Sequence, residues 1–329
     1  MSSAKKAAAK KMEAEAGEVP EGQMNLRPPE YGFWKSLRIC CYNPDGNKIL
    51  TRPCKSWAKI LFFYVLFYAG LSGYFAAMLA VFYQTLDMSS PKWQLDSSLI
   101  GSNPGLGFRP MPPEENVEST LIWYRASDKN YEHWTKELTN FLSGYKTKNL
   151  LESGGDNRVV CNYNMAPDPK SVCAVELEKF GACIEENNYG FPTSSPCIFL
   201  KLNKIFNWLP NYYNDTDSLP EIMPEDLKTH IRDRKDTPEM NTVWVSCEGE
   251  NPADIENIGA IQYYPSRGFP GYYFPFRNTP GYLSPLVAVY FERPATGVLI
   301  NIECKAWARN IHHDRAERRG SVHFELMVD

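Results

Sequence analysis

The longest apolar run in the 329-residue chain extends from Ile60 to Tyr83 and contains no charged side chain. The hydrocarbon core of a bilayer is about 30 Å thick, so a helix needs about 20 apolar residues to cross it. A soluble helix of this length normally carries a polar stripe along one side, which this run lacks. The pattern therefore predicts a membrane-spanning helix over residues 60–83.

The charges that flank this run predict its orientation. Basic residues crowd the segment 52–59, and the first charged residue beyond the run is Asp87. Because positively charged flanks are retained in the cytoplasm, residues 1–59 are expected to form a cytoplasmic tail and residues 84–329 an extracellular domain. A cleaved signal peptide would lie at the very N-terminus instead. The chain is thus predicted to be a single-pass type II membrane protein whose signal anchor stays uncleaved.

Beyond the span, short segments alternate apolar and polar residues. Such half-polar strands between Pro- and Gly-rich turns are typical of an antiparallel β-sandwich. The segments 84–117 and 118–329 are interpreted as a linker and a disulfide-stabilised, mainly β domain. The candidate strands are 197–205, 243–247, 258–264, 286–291, 298–307 and 321–328. Their inward-facing residues are expected to include Ile198, Leu200, Leu202, Ile300, Ile302, Cys304, Ala306, Val322, Phe324, Leu326 and Val328.

One helix is predicted in the exterior part. Tyr131, Trp134, Leu138 and Leu142 follow a helical spacing, which indicates a helix over 127–142. Ser127 or Asp128 would serve as its N-cap. At the other end of the chain, residues 1–25 consist largely of Ala, Lys and Glu, and they are predicted to be disordered.

The nine cysteines divide at the span. Cys40, Cys41 and Cys54 lie on the predicted cytoplasmic side and are expected to be reduced, either as plain thiols or as palmitoylation sites next to the lipid. The exterior six have no C-x₂-C pair, so disulfides are favoured over zinc, and spacing alone leaves 15 pairings open. These six are Cys161, Cys173, Cys183, Cys197, Cys247 and Cys304.

No motif in the chain indicates catalysis. The histidines are interpreted as solvated surface residues, and neither a phosphate loop nor a zinc-binding H-E-x-x-H motif is present. Asp215 and Asp217 form a D-x-D pair of the kind that holds a divalent metal, but Asn214 begins an N-x-T sequon at the same place. Glycosylation of Asn214 is the preferred interpretation, with no metal and no cofactor. The basic tail beside an acidic exterior part gives no indication of nucleic-acid binding.

Two patterns indicate a protein partner. Within the span, Ala69, Gly73 and Ala77 recur every fourth residue and would let another helix approach closely. Tyr64 and Tyr68 mark a further face, and their hydroxyl groups need partners that lipid does not supply. Outside, residues 262–278 hold seven aromatic residues among prolines and glycines, too many for a solvated loop. These features favour an interface over an isolated anchor and domain.

From about Tyr31 to its end, the chain resembles the β subunits of sodium/potassium-transporting P-type ATPases. The matching segments include YNPDGNKILTRPCKSWAKI, FYVLFYAGLSG, KSVCAVELEKFGAC, SPCIFLKLNKIFNWLP and NIECKAWARNI. The resemblance implies an immunoglobulin-like exterior domain and the pairs Cys161–Cys173, Cys183–Cys197 and Cys247–Cys304. It implies partner contacts through Tyr64, Tyr68, Ala69 and Gly73. A partner-binding YYPYYG-type segment maps to Tyr272, Tyr273, Phe274, Pro275 and Phe276, with phenylalanines where the family has some of its tyrosines.

The function implied is that of a non-catalytic subunit. It would bind the catalytic α subunit, assist its folding and its delivery through the endoplasmic reticulum and Golgi to the plasma membrane, and modulate ion transport. A small third regulatory subunit is a further expected partner. The single sequon favours the sodium/potassium pump over the more heavily glycosylated proton/potassium pump. The alternatives are a type II Golgi glycosyltransferase, which would use the D-x-D pair, and a single-pass cell-adhesion protein.

Overall fold

The computed structural model describes two compact units, Met1–Thr85 and Leu86–Asp329. The described part of the first consists mainly of one long helix, and the second is the β-rich domain. The predicted disorder of residues 1–25 lies outside the described residues. The described residues are Trp34, 42–43, 48–49, 52–116, 118–128, 130–146, 157–165, 167–168, 170–314 and 319–329.

The apolar run forms helix α1, Cys54–Gln84, which begins six residues before the predicted span. Its first turns carry Lys55 and Lys59, so the helix continues past the apolar run into the basic flank. At about 1.5 Å per residue its 31 residues extend about 46 Å, more than a bilayer core requires. The helix ends at Thr85, whose backbone N–H and hydroxyl group both donate to the carbonyl oxygen of Phe82.

The described residues of the second unit form two main β-sheets. Their strands are β1 Leu106–Arg109, β2 Leu121–Tyr124, β3 Cys197–Leu202, β4 Thr242–Gly249, β5 Ala260–Tyr264, β6 Gly268–Pro270, β7 Leu286–Glu292, β8 Leu299–Trp307 and β9 Ser321–Val328. One sheet has four strands in the order β5-β7-β3-β1, and the other has five in the order β6-β4-β8-β9-β2. All neighbouring strands are antiparallel except β9 and β2, which run parallel.

Short elements complete the unit. Two-residue strands, Arg158–Val159 and Val172–Cys173, pair in parallel at its edge. The α-helices are α2 Glu132–Lys146, α3 Glu225–Arg232 and α4 Pro252–Asn257. The 3₁₀ turns are Leu95–Ser97, Glu114–Asn116, Leu177–Phe180, Glu185–Thr193, Pro238–Met240 and Gly271–Tyr273.

The two sheets pack face to face as a sandwich. Phe324 of β9 stacks on Phe108 of β1 at a centroid distance of 5.1 Å and contacts Phe291 of β7 edge-on at 6.2 Å, so one ring joins the two sheets. The alternation in β8 places Ile300 and Ile302 in the core as predicted, and both are fully buried. The mainly β exterior fold predicted from alternation is therefore confirmed.

Strand β3 is buried on both faces, whereas its alternating pattern predicted that only one face would be buried. Phe199 was assigned to no inward face, yet it is about 1% exposed because Phe180 and Tyr189 cover it at centroid distances of 5.5 and 6.0 Å. The hydroxyl group of Tyr189 in turn lies 3.1 Å from that of Thr139 on α2. Helix α2 and the turns before β3 thus form a third layer over this sheet.

The predicted linker 84–117 is wrong in its second half. Residues 106–109 form the edge strand β1, which pairs with β3 and buries Leu106 and Phe108. The prolines and glycines on which the linker prediction was based lie on both sides of this strand. Gly107, within it, is tolerated because the strand lies at a sheet edge. The sandwich therefore begins before residue 118.

The predicted helix 127–142 is shifted. Residues 126–128 and 130 lie in a turn, in which the backbone N–H of Arg125 donates to the side-chain oxygen of Asn130. The first helical bond runs from Thr135 N–H to the Tyr131 carbonyl oxygen, so neither Ser127 nor Asp128 is the N-cap. The predicted apolar face is otherwise correct and includes Trp134, Leu138 and Leu142, which are all buried.

The interpretation of all histidines as solvated is also wrong. His230 on α3 is partly buried and lies edge-on to Trp244 at a centroid distance of 5.6 Å, beside a small second core that includes Trp244, Leu227 and Ile231. Burial, together with the nearby positive charge of Arg234, lowers the pKa of His230 to about 4. The ring is therefore neutral at physiological pH.

This burial predicts a pH dependence of stability. The unfolded chain binds a proton at His230 near pH 6.5, whereas the folded chain does so only near pH 4. The stabilisation is therefore complete above pH 6.5 and is lost as the pH falls from 6.5 towards 4. In His230→Gln, we expect the thermal unfolding midpoint to depend less on pH in this window than in the wild type. His312→Gln, at an exposed position, should keep the wild-type slope; equal slopes in all three proteins would contradict the assignment.

Candidate functional site

Helix α1 is the one helix among the described residues that is long and apolar enough to cross a bilayer. Every residue from Leu61 to Tyr83 is exposed. Tyr64 and Tyr68 stack on one another with centroids 6.0 Å apart, which turns both rings to the same side of the helix. Each keeps half or more of its surface exposed. The pair therefore presents two phenol rings to a neighbour.

The small residues of α1 lie on the other side. At about 100° per residue, Ala69, Gly73 and Ala77 are centred about 160° away from the two tyrosines. A methyl group built on Gly73 would meet no atom of the described residues within 4 Å beyond the backbone of its own helix, so another helix could approach closely at this position. The helix thus has an aromatic face and a small-residue face on nearly opposite sides.

The exterior aromatic segment, Tyr272–Phe276, follows strand β6. All five of its residues are partly buried. Tyr273 donates a hydrogen bond from its hydroxyl group to the Ala174 carbonyl oxygen at 2.9 Å, and Phe274 lies edge-on to Trp208 at a centroid distance of 5.5 Å. Phe276 contacts Tyr282 at 4.9 Å. The domain therefore holds each ring from one side and leaves part of it accessible.

The phenol groups of this segment are neutral donors. Burial raises the pKa of Tyr272 to about 12 and raises that of Tyr273 as well. A cavity of about 610 Å³ opens beside the two rings and is also lined by Tyr163, whose ring lies 5.3 Å from that of Tyr272. The arrangement offers shape, apolar area and hydrogen bonds to a partner.

The six cysteines of the second unit form the pairs Cys161–Cys173, Cys183–Cys197 and Cys247–Cys304. The first bond ties the short edge strands together next to the aromatic segment. The third joins directly opposed residues of β4 and β8 within one sheet.

The predicted glycosylation site lies on the surface. Asn214 is exposed, whereas Thr216 of the sequon is buried. Asp215 accepts a hydrogen bond from the backbone N–H of Asp217 at 3.0 Å, so its carboxylate stabilises a local turn. Within the described residues, no group of three or more His, Cys, Asp or Glu side chains could hold a metal. The local geometry is that of a surface loop.

Sequence reasoning missed the residues that support the aromatic segment. Ala174, Phe206 and Trp208 hold it from positions about 70 to 100 residues earlier in the chain. Phe206 and Trp208 belong to the SPCIFLKLNKIFNWLP segment, whose unusual aromatic end was the available signal. Their pairing with residues 274 and 276 depends on the tertiary fold and has no signature in local spacing.

Comparison with known proteins identifies the family. Residues 29–324 match the family described as sodium/potassium ATPase beta chain. The chain is 56% identical over 310 residues to sodium/potassium-transporting ATPase subunit beta-2 of Drosophila melanogaster, covering 93% of this chain and 96% of that one. It is 42% identical over 290 residues to subunit beta-1 of the same species, covering 88% and 91%. The corresponding identity to the beta-2 subunit of Homo sapiens is 28% over 316 residues, covering 90% and 94%.

These matches leave the glycosyltransferase and cell-adhesion alternatives without support. The chain belongs to the sodium/potassium ATPase beta chain family, whose members are non-catalytic subunits that associate with the catalytic α subunit at the plasma membrane.

Proposed function

We propose that this subunit holds the catalytic α subunit at two places, through α1 in the membrane and through the aromatic segment outside it. The observation that carries the proposal is the chemistry of α1, which is exposed along its whole apolar length yet carries two different faces. A helix that served only as an anchor needs no such division, because lipid contacts all sides alike. The small-residue face suits close helix packing, and the tyrosine face offers hydroxyl groups to polar atoms of a neighbour.

The aromatic segment supplies the exterior contact. Its rings are fixed by Ala174, Trp208 and Tyr282, so little conformational entropy is lost when a partner covers them. By holding α at two places, the subunit would stabilise its folding, accompany it through the endoplasmic reticulum and Golgi, and modulate its ion transport. Lipid and a small third regulatory subunit would contact the remaining surface of α1.

The proposed orientation of the chain in the membrane follows from its charges and from cysteine chemistry. Lys55 and Lys59 lie in the first turns of α1, and such a basic flank supports a cytoplasmic position for its N-terminal end. The opposite end then leads to the exterior, where the three disulfides are stable. The sequon at Asn214 lies on the same side.

Glycosylation tests this orientation. We expect Asn214→Gln to lower the apparent mass by one glycan, and enzymatic deglycosylation to bring the wild type to the mass of the variant. Asn211→Gln, a nearby exposed asparagine outside any sequon, is the matched control and should keep the wild-type mass. A wild-type band that deglycosylation leaves unmoved would contradict either the exterior position of the domain or the use of this sequon.

A further inference from the structure

Two basic side chains lie on the face of the four-stranded sheet that α2 partly covers, where β1 and β3 run side by side, and a third lies just after β3. The register pairs Gly107 with Lys201, so Lys201 and Arg109 emerge on the same face. A methyl group at Gly107 would contact only the backbone oxygen of Lys201, 3.9 Å away, and the space beside the lysine is therefore open. Lys204 follows in the turn after β3. Arg109, Lys201 and Lys204 are called the basic cluster below.

Aromatic rings line this cluster. The Lys204 Nζ atom lies 5.2 Å from the ring centroids of both Phe276 and Tyr282. The Phe141 ring of α2 lies 6.0 Å from Lys201 Nζ and 5.6 Å from Arg109 Cζ. Such contacts orient cations through the ring quadrupole, but they leave the net charge in place.

Most of this charge is not neutralised. Among the described residues, no carboxylate oxygen lies within 4.0 Å of Lys201 or Lys204, whereas Arg109 lies 3.4 Å from Glu137. Burial lowers the pKa of both lysines, and the charges of Lys204 and Arg109 further lower the pKa of Lys201. The lysines therefore repel one another in a partly desolvated place, and an added anion would relieve that repulsion.

The cluster is continuous with the aromatic segment. Phe276 is both the last residue of that segment and a ring beneath Lys204. The Asn207 backbone N–H donates to the Phe276 carbonyl oxygen at 2.8 Å, which ties the turn that carries Lys204 to the segment. We propose that the basic cluster binds a carboxylate side chain on an exterior loop of the catalytic subunit.

This inference rests on the proposed function, in which the aromatic segment contacts the same subunit. The rings supply apolar contact that tolerates sliding, whereas a carboxylate between Lys201 and Lys204 would fix the position of the loop.

The test uses the full-length chain co-expressed with the catalytic subunit and captured through that subunit in mild detergent. The amount of bound β chain is measured over a range of ionic strengths. The variant Lys201→Gln with Lys204→Gln removes both charges, and the matching Lys→Arg pair keeps them. Phe274→Ala, at a ring that packs on Trp208, tests the aromatic segment separately, and Lys136→Gln on the exposed side of α2 is the charge control. Disulfide mapping verifies that each variant folds.

We expect the Gln pair to associate about tenfold more weakly than the wild type at low ionic strength, with the difference shrinking as salt screens the charges. The Arg pair and Lys136→Gln should behave like the wild type. The inference is overturned if the Gln pair associates normally while Phe274→Ala does not, a result that leaves the proposed function standing. If neither variant weakens association, the proposed exterior contact fails as well. If the Gln pair does not fold, the wild-type protein alone provides the test: an association with the catalytic subunit that does not change with salt concentration overturns the inference.

Discussion

Replacing Cys247 and Cys304 together by alanine is expected to leave the exterior domain unfolded and the chain retained in the endoplasmic reticulum. The bond joins residues 57 apart in sequence on adjacent strands at the centre of the five-stranded sheet, and both cysteines are buried. On the loop-entropy model it stabilises the folded state by about 4 kcal/mol. The free energy of unfolding of a typical domain is about 5–15 kcal/mol, so losing this bond removes much of the domain's stability.

The bond Cys161–Cys173 provides the matched comparison. It spans only 12 residues, so on the same model it contributes about 3 kcal/mol, and because neither cysteine belongs to the main hydrophobic core its removal should leave the sandwich core intact. Surface biotinylation should therefore recover more of the Cys161→Ala, Cys173→Ala protein than of the Cys247→Ala, Cys304→Ala protein. Normal surface delivery of the latter, or peptide mapping that joins Cys247 to another cysteine, would contradict this assignment.

The second large effect is expected in the membrane. Gly73→Leu should weaken association with the catalytic subunit, because its side chain would separate two helix backbones that approach through the small-residue face. Close packing is the main attraction between helices in lipid, so separating the two backbones at residue 73 weakens the contact along the whole small-residue face. Leucine favours helix more strongly than glycine, and the change therefore leaves α1 itself intact. The measurement is the amount of catalytic subunit recovered with the chain from mild detergent, together with its ATP hydrolysis.

Two further variants make this measurement specific. Tyr64→Phe with Tyr68→Phe keeps the shape of the tyrosine face and removes two hydroxyl groups, each worth about 0.6 kcal/mol in a membrane. This pair should weaken association less than Gly73→Leu does. Val65→Leu adds bulk about midway between the two faces and should change nothing. If Gly73→Leu associates and hydrolyses ATP like Val65→Leu, the small-residue face has no partner.

The sequence predicted those elements whose signal is local. Strand β8 was predicted correctly because one of its faces is buried and the other meets solvent, which produces strict alternation. Strand β3 was only partly predicted, since α2 and the turns over Phe199 bury its second face as well. Strand β1 was missed because its stability comes from pairing with β3, about 90 residues away, and Gly107 weakens its own propensity.

The candidate surfaces also differ in how far the sequence reveals them. The faces of α1 follow from helical periodicity, so Tyr64 and Gly73 were recognisable without a structure. The aromatic segment was recognisable by composition, but the bond from Tyr273 to Ala174 depends on a contact 99 residues away in sequence. The basic cluster escaped notice because Lys201 and Lys204 resemble ordinary polar residues of a strand and a turn until Phe141 and Tyr282 are placed beside them.

The most direct test of the central claim is the composition of the complex that the intact chain forms. The full-length protein, co-expressed with a sodium/potassium ATPase catalytic subunit, would be extracted in mild detergent, purified through a tag on its cytoplasmic tail and quantified by mass spectrometry. We predict recovery of the catalytic subunit in a one-to-one ratio, with ATP hydrolysis that requires both sodium and potassium. Recovery of a folded, disulfide-bonded chain from the plasma membrane without the catalytic subunit would contradict the account.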